Sequence, residues 1–426
     1  MITVRFAPSP TGWLHIGSAR TAIFNWLFAR RHGGRLLLRV EDTDLKRSDP
    51  KFLEEILSSL RWLGIDWDGD PIFQSRRFPL YRERAEQLVA AGKARRDGEA
   101  ILFPVEAGRT IEVRDMIHGP IAFDAGTFKE QVLIKSDGSP AYNFSCVVDD
   151  ADMGVTDILR GDDHISNTPK QILFYEALGL EPPRFGHMPL ILGQDGAKLS
   201  KRHGGTAVGE YRSEGFLPEA LANYLILLGW YPGEDREILS MAEAGGMFSL
   251  EAMNDVQAKF DLTKLKWLNG EYIMKRETAD LLPDLRDRLA AAGFALPEGR
   301  GDDYLASIID LYKIRIKTLG EFAGMTDFFF TGAFAMEDDA AAQLAKPGAK
   351  DRVRELAEAV AGVEPFTHET IETACRATAE AAGVKAAAVI HPARAALSGK
   401  TKGAGLFEIM EVLGREKVLE RLRRAS

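Results

Sequence analysis

The chain has 426 residues, enough for two to four domains, and is 45% hydrophobic and 27% charged, an ordinary soluble globular composition. A formal net charge of −9 excludes a generally basic nucleic-acid coat but leaves room for a local basic face. Two cysteines, Cys146 and Cys375, exclude a disulfide framework and any zinc site built from several cysteines. The longest apolar run, residues 224–230, is too short to span a bilayer. The start, MITVRF, lacks the basic and apolar segments of a secretory leader, so a cytoplasmic protein with no membrane partner is expected.

Residues 2–6 predict a short strand ending in the loop Ala7-Pro8-Ser9-Pro10-Thr11-Gly12, where two prolines and a glycine stop regular structure. A helix is predicted from about 15 to 31, with Ala19, Ala22, Ile23, Trp26 and Leu27 at helical spacing and Gly33-Gly34 closing it. Residues 36–40 read as a mostly apolar strand, covered on both faces. Asp49-Pro50 opens a second helix that Gly64 ends. This order predicts an α/β fold with a parallel, doubly wound, Rossmann-type catalytic sheet over residues 1–80 and 133–192. Residues 81–132 read as an insertion with short strand-like pieces, and 193–280 as a mostly helical connecting region. Residues 281–426, rich in Ala, Leu, Glu, Lys and Arg, predict an all-helical region.

Two segments carry the chemistry. The first, Pro8-Ser9-Pro10-Thr11-Gly12-Trp13-Leu14-His15-Ile16-Gly17-Ser18, joins the first strand to the first helix. Ligands bind there in α/β sheets, a helix N-terminus attracts phosphate, and Gly17 permits a close approach of the backbone to a purine or ribose. The second, Gly193-Gln194-Asp195-Gly196-Ala197-Lys198-Leu199-Ser200-Lys201-Arg202-His203-Gly204-Gly205, sets a basic cluster between glycines. That is the composition of a mobile loop that closes over a triphosphate. Taken singly, the first segment fits a capped strand-to-helix turn equally well, and the second fits a solvated basic loop better.

Together, HIGS at 15–18 and KLSKR at 198–202 resemble the HIGH and KMSKS signatures of class I aminoacyl-tRNA synthetases. Further segments resemble the glutamyl-tRNA synthetases in particular. They are 5–12 (RFAPSPTG), 39–44 (RVEDTD), 142–144 (YNF), 147–150 (VVDD), 160–164 (RGDDH), 215–221 (GFLPEAL), 260–265 (FDLTKL) and 392–399 (PARAALSG).

The resemblance implies ATP-dependent attachment of L-glutamate to tRNA(Glu), and in some members to tRNA(Gln), through a glutamyl-adenylate, with activation only when tRNA is bound. It implies a glutamate pocket formed by Arg5, Ala7, Ser9, Glu41, Tyr142, Cys146 and Arg160. Arg5 is assigned to the side-chain carboxylate and Arg160 to the α-carboxylate, open to exchange, with Glu41, Ser9 and the Ala7 backbone on the ammonium. ATP, accompanied by Mg²⁺, is expected against His15, Gly17, Ser18, Asp163, Ile191, Lys198, Leu199 and Lys201. The catalytic set is His15, Gly17, Lys198, Ser200 and Lys201, acting by orientation and charge stabilisation. Asp44 resembles a residue near the tRNA 3′ end. Arg315, within the set Lys313, Arg315 and Lys317, resembles an anticodon-reading position. The tail set Arg415, Lys417, Arg421, Arg423 and Arg424 offers further phosphate contacts.

Residues 81–132 are shorter than the acceptor-stem insertion of the family and hold no cysteine, so no zinc or other resident metal is expected. Family resemblance also implies a monomer. Three other readings remain open here: a paralogue that modifies a tRNA base, a glutaminyl-tRNA synthetase, and a non-catalytic tRNA-binding paralogue.

Overall fold

In the computed structural model, all residues are described except 201, 203, 204, 234 and 235. The chain divides into two units, residues 1–268 and 269–426.

The first unit is built outward from β1 (Thr3–Phe6), whose four residues are all buried. It pairs in parallel with β2 (Arg35–Val40), which pairs in parallel with β3 (Ile72–Phe73). Between β1 and β2 runs α1 (Ile16–Arg31), which buries Ala19, Ile23, Phe24, Leu27 and Phe28. The chain leaves α1 through Gly33, at φ 58°, and Gly34. A Cβ on Gly34 would lie 2.5 Å from the Ile2 carbonyl oxygen, so only glycine lets the helix return this close to the start of β1. After β2, α2 (Pro50–Trp62) starts with Asp49 accepting from the Lys51 N–H at 2.9 Å and proline in its first turn.

Next come α3 (Phe78–Ala90), β4 (Arg95–Asp97), β5 (Ala100–Phe103), β6 (Thr110–Asp115), β7 (Gly119–Asp124) and β8 (Gln131–Ile134). The catalytic fold then resumes with α4 (Tyr142–Asp152), β9 (Asp157–Gly161), α5 (Thr168–Leu178) and β10 (Arg184–Met188). A second sheet has the order β7-β6-β10-β9, with β10 parallel to both β9 and β6. The Thr156 N–H donates to the Thr3 carbonyl at 2.9 Å, joining the two sheets along β1 and β9. Chain direction reverses its lateral progress there, and in a doubly wound sheet this is the crevice that receives ligands.

The segment read as an insertion is thus not all set apart from the sheet. β4, β5 and β8 form a small antiparallel sheet packed with α3 around Tyr81, Leu88, Leu133 and Phe174. The β6–β7 hairpin instead extends the catalytic sheet, because β6 alternates buried and exposed residues and presents Ile111, Val113 and Asp115 inward.

The first unit continues through β11 (Ile191–Leu192), α6 (Val208–Glu214), α7 (Pro218–Leu227), α8 (Met241–Met247) and β12 (Ala258–Lys259). α9 (Leu262–Lys275) contains the division between units. No helix among the described residues is long and apolar enough to cross a membrane.

The second unit is helical: α10 (Thr278–Ala291), α11 (Asp302–Tyr312), α12 (Glu321–Thr326), α13 (Asp338–Leu344), α14 (Ala349–Ala361), α15 (His368–Ala381), α16 (Ala387–Ser398), α17 (Leu406–Leu413) and α18 (Arg415–Ala425). Here the structure corrects one expectation. Arg421, grouped with the tail cations as a phosphate contact, is 1% exposed. It donates to the carbonyls of Leu397 (2.7 Å), Phe328 (2.6 Å) and Thr331 (3.0 Å), with Phe334 below its guanidinium. Burial lowers its pKa to about 10, so it remains charged at neutral pH. The amphipathic stripe of α18 carries it inward, where its fork reaches carbonyls at helix and loop ends.

Arg421→Leu is expected to leave those carbonyls without their donor and to cost about 2–4 kcal/mol. The measurement is the urea midpoint of the full chain, with the exposed Arg424→Ala as a control expected to shift it little.

Candidate active site

The carboxyl ends of β1 and β9 open into a cavity of about 460 Å³. Arg5, Ala7 and Ser9 reach it from β1 and its following loop, and Glu41 from the end of β2. Tyr142 and Arg160 line the same side. His15, Gly17, Ser18, Asp163, Ile191, Lys198 and Leu199 line the rest. The structure therefore gathers the two sequence constellations around one space. Cys146, Asp44 and Arg315 lie elsewhere, and Ser200 is not among the lining residues. Lys201 lies outside the described residues.

The amino-acid side of the cavity rests on a buried ionic network. Arg39, in β2, has no exposed side-chain surface and donates to Asp150 Oδ1 (2.5 Å) and Glu41 Oε1 (3.0 Å). Arg5 Nε donates to the same Asp150 oxygen at 3.0 Å. β2 alternates its side chains, so Arg39 and Glu41, two apart, share a face and meet α4, which carries Asp149 and Asp150. Burial works against the Arg39 charge, but the surrounding carboxylates, Asp150 foremost, outweigh it and hold the guanidinium above its ordinary pKa. Burial also pushes the Asp150 carboxyl up, yet Arg39 and Arg5 bring it below its ordinary 3.8. Asp149 next to it stays raised, burial prevailing over Arg39, Gln74, Tyr81 and Arg77.

Cys146 sits behind the cavity rather than on its wall. It is 1% exposed, and its thiol donates to Glu41 Oε1 at 3.3 Å. Burial, then Glu41, push its pKa well up, so the neutral thiol steadies the carboxylate as a donor.

Arg160 is held differently. Its Nε donates to His187 Nε2 (3.1 Å) and its Nη2 to Thr168 Oγ1 (2.8 Å). Tyr142 reaches His164 Nδ1 through its hydroxyl at 3.2 Å. A Cβ on Gly161, which follows Arg160, would lie 2.6 Å from Asp163 Oδ1, so a side chain there would make the Asp163 carboxylate shift.

The opposite wall is made by the two signatures. His15 caps α1, its Nδ1 accepting the Gly17 N–H at 3.1 Å. Burial, then Lys198, lower its pKa, and with Nδ1 occupied as an acceptor the neutral ring presents Nε2–H as a donor. A Cβ on Gly17 would come 3.3 Å from that Nδ1, so glycine keeps the cap close. The segment after the second signature pairs with the first: Ile16 N–H donates to the Thr206 carbonyl and Val208 N–H to the Leu14 carbonyl, each at 2.9 Å.

Ahead of Lys198 the backbone is tied by hydrogen bonds. Gly193 N–H bonds the Ala197 carbonyl (2.8 Å) and Leu199 N–H the Ile191 carbonyl (3.3 Å), closing a hairpin through Asp195-Gly196. The Lys198 side chain is 68% exposed, with its ammonium 3.8 Å from Asp163.

Sequence reasoning missed Arg20, which lines the cavity from α1. It is buried, donates to the carbonyls of Leu228 (3.0 Å) and Pro189, and burial lowers its pKa to about 10. It also missed Arg39, Asp150, His164, Thr168, His187 and Asp115. With Arg5, Arg20, Arg160 and Lys198 against Glu41 and Asp163, the lining is cationic and suits an anionic ligand carrying one ammonium.

Asp44 forms a local turn, accepting from the Arg47 N–H (3.3 Å), and is exposed. Arg315, in the second unit, spends Nε on the Gly403 carbonyl (3.2 Å) and Nη1 on the Leu311 carbonyl (2.5 Å).

Comparison with known proteins agrees with this geometry. The family model for the catalytic domain of class I tRNA synthetases (E and Q) matches residues 1–101 and 99–267. The two matches meet at the turn between β4 and β5. An anticodon binding domain model matches residues 275–426. The chain is 41% identical to glutamate–tRNA ligase 1 of Caldanaerobacter subterraneus, covering 100% of this chain and 97% of that one. It is 43% identical to glutamate–tRNA ligase of Nitratidesulfovibrio vulgaris, covering 100% and 99%. Its structure is similar, at a TM-score of 0.90 and 30% identity over 100% of this chain and 99% of the other, to a glutamate tRNA ligase from Elizabethkingia meningosepticum solved with its amino acid.

Asp150→Asn strands Arg39 and Arg5 and is expected to cost about 3–5 kcal/mol, whereas Asp149→Asn, whose partner Arg77 can rehydrate, is expected to cost about 1–2 kcal/mol. Urea midpoints at pH 7 check this order. Because the folded pKa of Asp150 lies below 3.8, its stabilisation is full above that value and lost as pH falls through the folded pKa. The acid limb of the stability curve should therefore be shallower in Asp150→Asn than in wild type.

Proposed function

The chain belongs to the glutamate–tRNA ligase family of class I tRNA synthetases, and from that premise we propose that it attaches L-glutamate to tRNA(Glu) at the expense of ATP. The observation that carries this reading is the convergence of Arg5, Arg160 and Glu41 on one cavity whose far wall holds His15 and Lys198. Two fixed cations and one anion match the two carboxylates and the ammonium of glutamate. In this reading Arg5 takes the side-chain carboxylate, Arg160 the α-carboxylate, and Glu41 with Ser9 and the Ala7 backbone the ammonium.

ATP enters as its Mg²⁺ complex. The α1 N-terminus and the His15 Nε2–H face its phosphates, Asp163 the ribose, and Ile191 and Leu199 the base. The glutamate α-carboxylate oxygen bonds to the α-phosphorus as the bond to the pyrophosphate breaks. Lys198 and Lys201, with Ser200, meet the charge that develops on that leaving group. A terminal ribose hydroxyl of tRNA then displaces AMP from the acyl carbon. No side chain forms a covalent intermediate, so rate comes from orientation and charge.

The anticodon model matched over residues 275–426 supports tRNA charging over a paralogue that modifies a tRNA base, which normally lacks such a region. Asp44 in the first unit and Arg315 in the second are proposed as tRNA contacts, the latter through the part of its guanidinium not spent on carbonyls. The enzyme is proposed to work as a cytoplasmic monomer.

The test is attachment of labelled glutamate to purified tRNA(Glu) and tRNA(Gln) with ATP and Mg²⁺. Wild type is expected to charge tRNA(Glu), and Lys201→Ala to lose about a hundredfold or more in kcat. The tRNA(Gln) lane reads discrimination. Folded wild type that binds tRNA but charges neither species would reject the ligase reading.

A further inference from the structure

Among the described residues, the Arg160 guanidinium has no carboxylate partner in its hydrogen bonds. Its orientation is set by neutral groups. Nε donates to His187 Nε2 (3.1 Å), and Nη2 donates to Thr168 Oγ1 (2.8 Å). The Thr168 hydroxyl lies 3.0 Å from the same His187 nitrogen. Arg160 Nε–H can only donate, so His187 Nε2 is an acceptor and the neutral imidazole carries its proton on Nδ1. That nitrogen donates to Asp115 Oδ2 at 2.6 Å. Neither Asp115 nor His187 has any exposed side-chain surface.

Asp115 ends β6 and comes from the hairpin, not from the strands that shape the cavity. Its other oxygen, Oδ1, accepts three backbone N–H groups: Ile117 (2.9 Å), His118 (3.0 Å) and His187 (3.3 Å). A second tie fixes the same hairpin, since His118 Nε2 meets Asp162 Oδ1 at 2.9 Å, two residues after Arg160.

We propose that Asp115, acting through His187, is a positioning residue for Arg160, so that the β6–β7 hairpin is a working part of the amino-acid pocket. The inference rests on the reading of Arg160 as a contact for the glutamate α-carboxylate. Its logic is that of a fixed tautomer. With Oδ1 committed to backbone N–H groups, an asparagine at 115 must turn its amide N–H toward His187. The ring then shifts its proton to Nε2, where it opposes Arg160 Nε–H, donor against donor. The guanidinium is displaced while the shape of the site is kept.

The experiment is steady-state charging of tRNA(Glu) by the full-length enzyme, measuring KM for glutamate and for ATP separately. Asp115→Asn is expected to raise the glutamate KM about tenfold or more, the worth of a hydrogen bond to a charged group, with the ATP KM within about twofold of wild type. His187→Gln and His187→Leu supply a comparison that does not depend on Asp115. Both lose the ring and its bond to Asp115, but only glutamine offers Arg160 Nε an acceptor. His187→Gln should therefore show a glutamate KM well below that of His187→Leu. In the His187→Gln background, Asp115→Asn should add less than about twofold. Equal glutamate KM values in the two His187 variants would overturn the proposal. So would a parallel rise in both KM values, or the same Asp115→Asn factor in both backgrounds. A wild type that charges no tRNA would instead reject the ligase reading on which this rests, and the two failures are told apart by that lane.

Discussion

Arg39 cannot reach water, and it lies between three carboxylates: Glu41, just past the end of its own strand, and Asp149 and Asp150 of α4. Removing a charge from water costs several kcal/mol unless good geometry returns it. Here the return is geometric as well as electrostatic. The planar fork fixes where α4 lies against β2, and through Asp150 it fixes Arg5 on β1. Three elements of the first unit are thereby registered by one guanidinium, and a lysine's single point charge would not register them. Glu41 gains from the same arrangement, since one of its oxygens takes both Arg39 and the Cys146 thiol and the carboxylate is aimed before any ligand arrives.

Arg160 is anchored on the opposite principle. Arg5 is paired with a carboxylate, so much of its charge is already answered. Arg160 is paired with an imidazole and a hydroxyl, which direct its fork without neutralising it. Burial lowers its pKa, and Tyr142 is the first group to offset that. Two arginines in one cavity thus present different fields. One is tempered by Asp150, and the other is oriented by neutral groups.

Much of this was legible in the chain. Periodicity and the Gly33-Gly34 stop placed α1 within a residue of its observed limits, because helix ends are local events of capping and glycine. The two signature segments sit on one cavity because both flank strands or helix ends at the crevice. The network behind the cavity was harder to see. Arg39 and Glu41 do carry a period-two signal, and Asp149-Asp150 after two valines marks acids on a buried helix. Which acid meets which arginine, however, depends on pairings up to 145 residues apart. Asp115 gave no local hint, because its role arises only when β6 pairs with β10 and brings it to His187. The parallel addition of β6 is a tertiary choice that strand propensity does not encode. Arg421 was misjudged for a related reason: a cation on an amphipathic helix reads as solvated unless the carbonyls that receive it are known.

The contrast between buried and exposed cations follows from what each must do. A group that recognises a permanent charge on a ligand gains from being fixed in advance, since reorganisation is then not required on binding. Arg5 and Arg160 are both under a tenth exposed. A group that must meet charge which appears only during reaction cannot be locked onto a resident carboxylate without losing that interaction. Lys198 fits the second requirement. Its side chain is mostly exposed, and its contact with Asp163 is, at 3.8 Å, a loose ion pair rather than a hydrogen bond. It is carried by a hairpin whose backbone is nonetheless tied at Gly193 and Leu199. On the proposed roles, the wall that recognises glutamate holds its cations through their side-chain hydrogen bonds. The wall that would answer developing charge is tied through its backbone, an arrangement suited to an ammonium that must follow a leaving group.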